Sequence, residues 1–412
     1  MRPQFTHNLE LTPGEPLAEK SLPAGPGVYL VCDETDRPIL LSFSANLRRV
    51  VGHRLAGPEP DARTKRVNLA EIARRLHWIE THGSFETLLT HWQLARELYP
   101  REYRTLLGFG PAEFIRVDPV AATPRFTVTR ELRPDGARYL GPLPTRKSAD
   151  AWVDMLADLF DLCRYYDVLE KAPHGEACAY FDMGKCPAPC NGTVPMSHYR
   201  DMIAAAWAFS VGRSTERVER LRGDMQAAAA KLEFERAASI RGTIERGESL
   251  RGKPEYRHMA DLSGVAWLVI QRACSARRAE KNTLVRPYIV SAKSIDAGEP
   301  ILWPDMPFAI ENWCDRTRKA ASAAATQPAP SVDSAASERI WLLGRFLFQE
   351  DKAPGWFGRS DRLPSESDLI EETRERLFSR PDPPMVSAPD DPAMEPKPED
   401  AQVGLQTPPP PP

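Results

Sequence analysis

ACAYFDMGKCPAPCNG, residues 177–192, sets Cys178, Cys186 and Cys190 within thirteen positions and places Pro187 and Pro189 between the last two. Proline removes backbone donors and fixes φ, and glycine admits tight turns, so this composition makes a loop and not a helix or strand. What the thiols hold depends first on the compartment. The opening residues, MRPQFTHNLELTPGEPLAEK, have no apolar core of a signal peptide, and the longest clean apolar run, Gly264 to Ile270, is far too short for a bilayer span. A cytoplasmic protein without a membrane partner is expected, where thiols stay reduced. Seven cysteines, an odd count, in 412 residues do not resemble a disulfide scaffold.

Upstream, TRKSADAWVDMLADLFDLC (145–163) predicts an amphipathic helix with Trp152, Met155, Leu156, Leu159 and Phe160 as its buried stripe, ending in Cys163. The spacing becomes C-x14-C-x7-C-x3-C. Zinc commonly uses C-x2-C knuckles, and four thiolates with one remote ligand also suit an iron–sulfur cluster, so spacing leaves zinc, a cluster and unliganded structural cysteines open. Cys32, Cys274 and Cys314 are scattered and read as small buried hydrophobes.

Downstream, Leu221, Met225, Ala228, Ala229 and Leu232 form one helical stripe. Phe234, Ala237, Ala238, Arg241 and Ile244 form a second, after a break over Leu232 to Glu235. Alanine-rich faces let two helices approach closely as an antiparallel hairpin. Such a pair cannot bury its apolar surface alone and must pack on its own chain or on a partner.

Residues 22–140 predict a mixed α+β unit. GVYLV (27–31) and RPILLSF (37–43) read as a hairpin, ANLRRVVGHRL as a helix, NLAEIARRL as a helix capped by Asn68, and SFETLLTHWQLARELY as a helix capped by Ser84 with Leu88, Trp92 and Ala95 on one face. FIRV (114–117) and RFTVTREL (125–132) return to strand character. After Leu250, MADLSGVAWLVIQRA, LVRPYIVSAKSI and PILWP predict strands, and ERIWLLGRFLFQE a helix with a broad apolar face. ASAAATQPAPSVDSAAS from Ala321 reads as an Ala/Ser/Pro linker, and the tail from residue 380, which ends TPPPPPP, as disordered. A net charge of -3 does not announce nucleic-acid binding, so any basic surface is local.

RYLGPLPTRKSADAWVDMLADLFDLC, then ACAYFDMGKCPAPCNG, then LRGDMQAAAAKLEFERAASIRGTIE resemble, in order, the N-terminal half of the UvrC excinuclease family. The resemblance implies an α+β chain: a GIY-YIG-like domain over 22–140, a cysteine-rich region over 141–210, a UVR helical hairpin over 211–250, a small α/β segment over 251–379 and a Pro-rich tail over 380–412. It also implies a 4Fe-4S cluster on Cys163, Cys178, Cys186 and Cys190, with zinc as the alternative. By the same resemblance the hairpin binds a UvrB-like helicase subunit, with Leu232 and Phe234 at the contact, Phe234 as the anchor, and Glu233, Glu235 and Arg241 as rim charges.

The nuclease positions depart from the family. GIY-YIG chemistry uses two tyrosines, an arginine and a metal-binding glutamate to cleave phosphodiesters. Gly27, Val28 and Tyr29 match the first triplet, but Leu40, Leu41 and Ser42 stand at the second, Val50 at the arginine and His91 at the glutamate. A lone histidine is a poor magnesium ligand, so no magnesium site is intact. Arg54, one turn beyond Val50, shares its helix face. The expectation is a nuclease fold without nuclease chemistry that binds DNA through Arg48, Arg49, Arg54, Lys65 and Arg66. A working single-incision endonuclease rebuilt around Tyr29, Arg54 and His91 is the alternative, and a regulator outside repair is a further one.

Overall fold

The computed structural model describes residues 5–12, 21–56, 68–107, 112–273, 280–325, 335–348 and 355–379. Its first unit comprises β1 (His7–Glu10), β2 (Gly27–Cys32), β3 (Pro38–Ser44), α1 (Leu47–Leu55), α2 (Leu69–Ile72), β4 (Arg75–Glu80), α3 (Ser84–Leu98) and α4 (Tyr103–Leu106). The strands form one antiparallel sheet in the order β1-β4-β2-β3. Every residue of β2 is buried, because the sheet is covered on both faces, and this is why GVYLVC reads as a continuous apolar run.

Alternation along the strands sorts the side chains between the two faces. Tyr29, Val31, Leu40, Leu76 and Trp78 pack with Leu47 and Val51 of α1. Val28, Leu30, Leu41 and Phe43 pack with Phe85, Leu88 and Trp92 of α3. Two local expectations change. The helix expected over 68–76 stops at Ile72, because Leu76 and Trp78 alternate with Arg75 and His77 on β4, which pairs with both β1 and β2. The N-cap of α3 is Gly83, and Ser84 is the first helical residue, buried and making no cap.

The second unit begins earlier than residue 141. β5 (Glu113–Val117), β6 (Phe126–Thr129) and β7 (Arg138–Leu143) leave the first sheet and, with β8 (Ala260–Asp261), build a sheet in the order β6-β5-β7-β8. Their apolar side chains, including Ile115, Val117, Phe126 and Leu140, share a core with α5 (Arg146–Leu159), α6 (Tyr166–Leu169) and α8 (Met196–Ser210), so the boundary expected at 140 moves to the connection after α4. Trp152, Met155, Leu156, Leu159 and Phe160 are all buried, and Thr145 and Ser148 close a capping box at the start of α5. The short α7 (Ala179–Asp182) follows Cys178.

The antiparallel α9 (Glu216–Ala230) and α10 (Phe234–Arg251) rest their root on α5: Ile244 is buried, and Gly247 lies where an added Cβ would stand 3.8 Å from Met155 Sδ and 3.9 Å from Leu159 Cδ2. The third unit holds β9 (Trp267–Arg272), β10 (Leu284–Val290), β11 (Ile295–Ala297), β12 (Ile301–Leu302) and β13 (Trp356–Arg359). They form one sheet with α11 (Met306–Ala325), α12 (Ala336–Leu347) and α13 (Glu366–Arg374). Ala321–Ala325, expected to open the linker, instead finish α11; residues 326–334 and the tail from 380 lie outside the described residues. No helix among the described residues is long and apolar enough to cross a membrane.

Candidate functional site

The four thiols of the C-x14-C-x7-C-x3-C pattern come together at the end of α5. Cys163 is not on the helix, as expected from the sequence, but beyond it: Phe160 caps α5 and Asp161, with φ of 52°, turns the chain. The Cys163 backbone N–H donates to the Tyr199 hydroxyl on α8 at 3.2 Å, which fixes the thiol against the helical core. Left-handed backbone at Gly184, Ala188 and Gly192 folds the 177–192 loop back on itself, and the Gly175 N–H donates to the Cys190 carbonyl at 2.8 Å. Cys163, Cys186 and Cys190 are buried and Cys178 is half-buried; all four are free thiols.

Their mutual influence shows the proximity. Cys163 and Cys186 hydrogen-bond through sulfur, which holds the Cys186 thiol below its ordinary value and Cys163 above it. Burial raises Cys190, and the neighbouring charges of Cys186 and Cys178 raise it further. A single zinc at about 2.3 Å from each sulfur draws four thiolates to about 3.8 Å of one another. Among the described residues, no three of these sulfurs lie within 4.8 Å of one another. The donor set is purely thiolate, a chemistry that suits zinc or an iron–sulfur centre.

At the far end of the hairpin, Leu232 is 71% and Phe234 65% exposed. The turn between α9 and α10 is a Schellman motif: the Glu233 N–H donates to the Ala228 carbonyl at 2.9 Å and the Leu232 N–H to the Ala229 carbonyl at 3.0 Å. Leu232 occupies the left-handed position with φ of 63°, where glycine is usual. Glu233 pairs with Arg236 at 3.0 Å and Arg241 with Glu245 at 3.8 Å, while Glu235 is exposed beside Phe234.

The nuclease positions do not converge. Tyr29 and Leu40 lie on the α1 face of the first sheet, and Val50 is half-buried on α1. His91 lies on the opposite face, its ring 4.9 Å from that of Phe43, which belongs to the core beneath α3. Burial lowers its pKa to about 4, against an opposing hydrogen bond to the Leu41 backbone, so it is a neutral packing residue. The third unit covers this same face. Glu338 of α12, itself buried, accepts hydrogen bonds from Trp92 Nε1 at 2.8 Å, the Tyr103 hydroxyl at 2.7 Å and Arg104 Nε at 2.9 Å. Arg286 pairs with Glu86 at 2.6 Å, and Gln271 Oε1 accepts from the Phe85 N–H at 2.9 Å. Nothing in the sequence near Glu338 marks this lock, since its partners lie over two hundred residues away.

Of the expected DNA contacts, Arg49 is exposed and Arg54 half-exposed on α1, whereas Arg48 Nε donates to the Leu22 carbonyl at 2.8 Å and ties the helix to the segment before β2. Lys65 and Arg66 lie outside the described residues.

The strand-rich middle unit with the four thiols is similar to the family "UvrC/Cho excinuclease, middle domain", which matches residues 113–209, and the helical hairpin to the "UvrB/uvrC motif", which matches residues 215–248. The chain is 32% identical to UvrABC system protein C of Desulforudis audaxviator over 56% of its own length and 37% of that protein's. It is 31% identical to the protein of the same name from Moorella thermoacetica, over 54% of its length and 36% of that protein's. The similarity to the UvrC family is confined to this shared part, and the chain spans little more than a third of the length of the curated relatives it matches. No solved structure matches it.

Proposed function

We propose that this protein is a non-catalytic, UvrC-like adaptor of nucleotide-excision repair. Its first unit keeps a GIY-YIG-like fold that contacts DNA, its four thiols hold a 4Fe-4S cluster, and its hairpin tip docks a UvrB-like subunit. The observation that carries the reading is His91, buried, neutral and separated by the sheet from Tyr29. A hard divalent cation needs oxygen ligands, and the helical neighbours Thr87, Leu88, Leu94 and Ala95 supply no carboxylate. The α1 face offers Val50 where a cation would stabilise the developing phosphate charge.

The cluster would be held by Cys163, Cys178, Cys186 and Cys190; its iron–thiolate bonds would cross-link the end of α5 to the loop that leads to α8. The chain's own residues prepare that arrangement, through Tyr199 at the Cys163 backbone and the left-handed turns of the loop. Leu232 and Phe234 present an apolar edge with charges beside it, a composition suited to a matching helical hairpin.

The test is incubation of the unmodified chain, with a UvrB-like subunit, on nicked and lesion-bearing duplexes in magnesium or manganese. Retained DNA binding without incision is expected. Metal-dependent incision that Tyr29→Phe abolishes would overturn the reading.

A further inference from the structure

Cys32 Sγ, an Asp36 carboxylate oxygen and a His77 ring nitrogen lie within 4.8 Å of one another at the end of the first sheet. The backbone explains the meeting. Pairing sets Leu30 opposite His77 and Cys32 opposite Arg75, so Cys32 and His77 are diagonal neighbours on one face. The β2–β3 register shifts between Val31 and Cys32, an irregularity of the kind that re-aims a side chain. Asp36 adopts φ of 64° in the turn. The turn is held by a different acid: Asp33 Oδ1 accepts from the backbone N–H groups of Thr35 and Arg37 at 2.8 and 2.9 Å.

We propose that Cys32, Asp36 and His77 form a metal site for zinc or a similar thiophilic divalent cation, with three protein ligands and one position open to water or an exogenous donor. Sulfur, nitrogen and oxygen donors in one set suit zinc, and three protein ligands with an open fourth position are its pattern outside structural sites. His77 Nε2 stands 3.4 Å from Asp36 Oδ1. That is long for an N–H···O hydrogen bond, yet two ligands held about 2.1 Å from one tetrahedral zinc stand about 3.4 Å apart. The Asp36 and His77 side chains are 12% and 21% exposed, which gives an ion an entry path.

Arg75 is the competitor. Its Nη1 stands 3.3 Å from the same Asp36 oxygen, on a side chain 41% exposed. Such a pair contributes at most about 1 kcal/mol, and its guanidinium can move into water when an ion arrives. An occupied site would tie the β2–β3 turn to β4, independently of the four-thiol loop.

The experiment titrates the full chain, under reducing conditions, with zinc and with cobalt as its spectroscopic stand-in. Wild type is expected to bind one more zinc than Cys32→Ser or His77→Ala. The cobalt–thiolate absorption of this site should persist in Cys178→Ser and vanish in Cys32→Ser. Arg75→Ala should bind zinc up to about fivefold more tightly, since it removes the competing cation. If Cys32→Ser or His77→Ala fails to fold by circular dichroism, Asp36→Asn decides, because asparagine tolerates the left-handed turn; weakening by at least about tenfold is expected. Equal zinc content and affinity in wild type and in the folded ligand variants would overturn the proposal.

Discussion

Replacing Phe234 by alanine separates docking from folding. The ring is 65% exposed, so about two thirds of the gain from burying a phenylalanine, itself about 1.5–3 kcal/mol, remains available to an interface. Truncation then removes about 1–2 kcal/mol of binding, a weakening of about fivefold to thirtyfold. Fold stability should move by less than about 0.5 kcal/mol, as for other surface substitutions. Leu232 supplies the reciprocal control. Its left-handed backbone, φ of 63°, costs a residue with a Cβ about 1 kcal/mol or more that glycine avoids. Leu232→Gly should therefore raise stability by about 1 kcal/mol and still weaken docking, because its side chain is 71% exposed. Urea unfolding at constant m-value reads stability, and titration of a labelled UvrB-like hairpin into each variant reads binding. Loss of stability with unchanged binding in Phe234→Ala would show that the tip serves the chain's own fold, and destabilisation by Leu232→Gly would refute the strain argument.

The His91 pKa, about 4 in the fold against an ordinary 6.5, makes the unfolded chain the stronger proton acceptor between these values. Its contribution is full above about pH 6.5 and is lost as pH falls toward 4, so about 2 kcal/mol should disappear between pH 7 and pH 5; denaturant midpoints of His91→Gln should show a smaller decline. His91→Glu should destabilise by several kcal/mol without creating incision, since it buries a carboxylate on the wrong face of the sheet. Glu338→Ala strands the Trp92, Tyr103 and Arg104 donors and should cost about 3–5 kcal/mol, measured by urea unfolding. Chain purified without oxygen should be brown, with about four irons and broad absorption near about 400 nm, and Cys186→Ser should lower both; one tightly held zinc in a colourless protein would contradict the cluster.

Local chemistry made much of this protein legible from its sequence. The GVYLV and RPILLSF runs, the α5 stripe and the two alanine-rich helices announce themselves, because each carries its period in adjacent residues. The four cysteines stand out for a related reason: three lie in one short loop and the fourth follows the end of the preceding helix by a few residues. Periodicity misled where tertiary pairing overrides it, as at Leu76, which fits a helical stripe but is held on β4 between two strands. The tertiary structure alone decided the rest. Strands 113–143 build a sheet of their own, one face of which packs on α5 through Ile115, Val117 and Leu140 while Phe114 and Tyr139 turn to the core that holds α3. His91 lies across the sheet from Tyr29 because α3 packs on the opposite face from α1, a choice no local pattern records. Glu338 meets Trp92, and Cys32 meets His77, because chain crossings join residues far apart in sequence. Contacts of that range leave no spacing to read: a buried acid or a solitary cysteine has the same local sequence whether or not the fold brings it a partner.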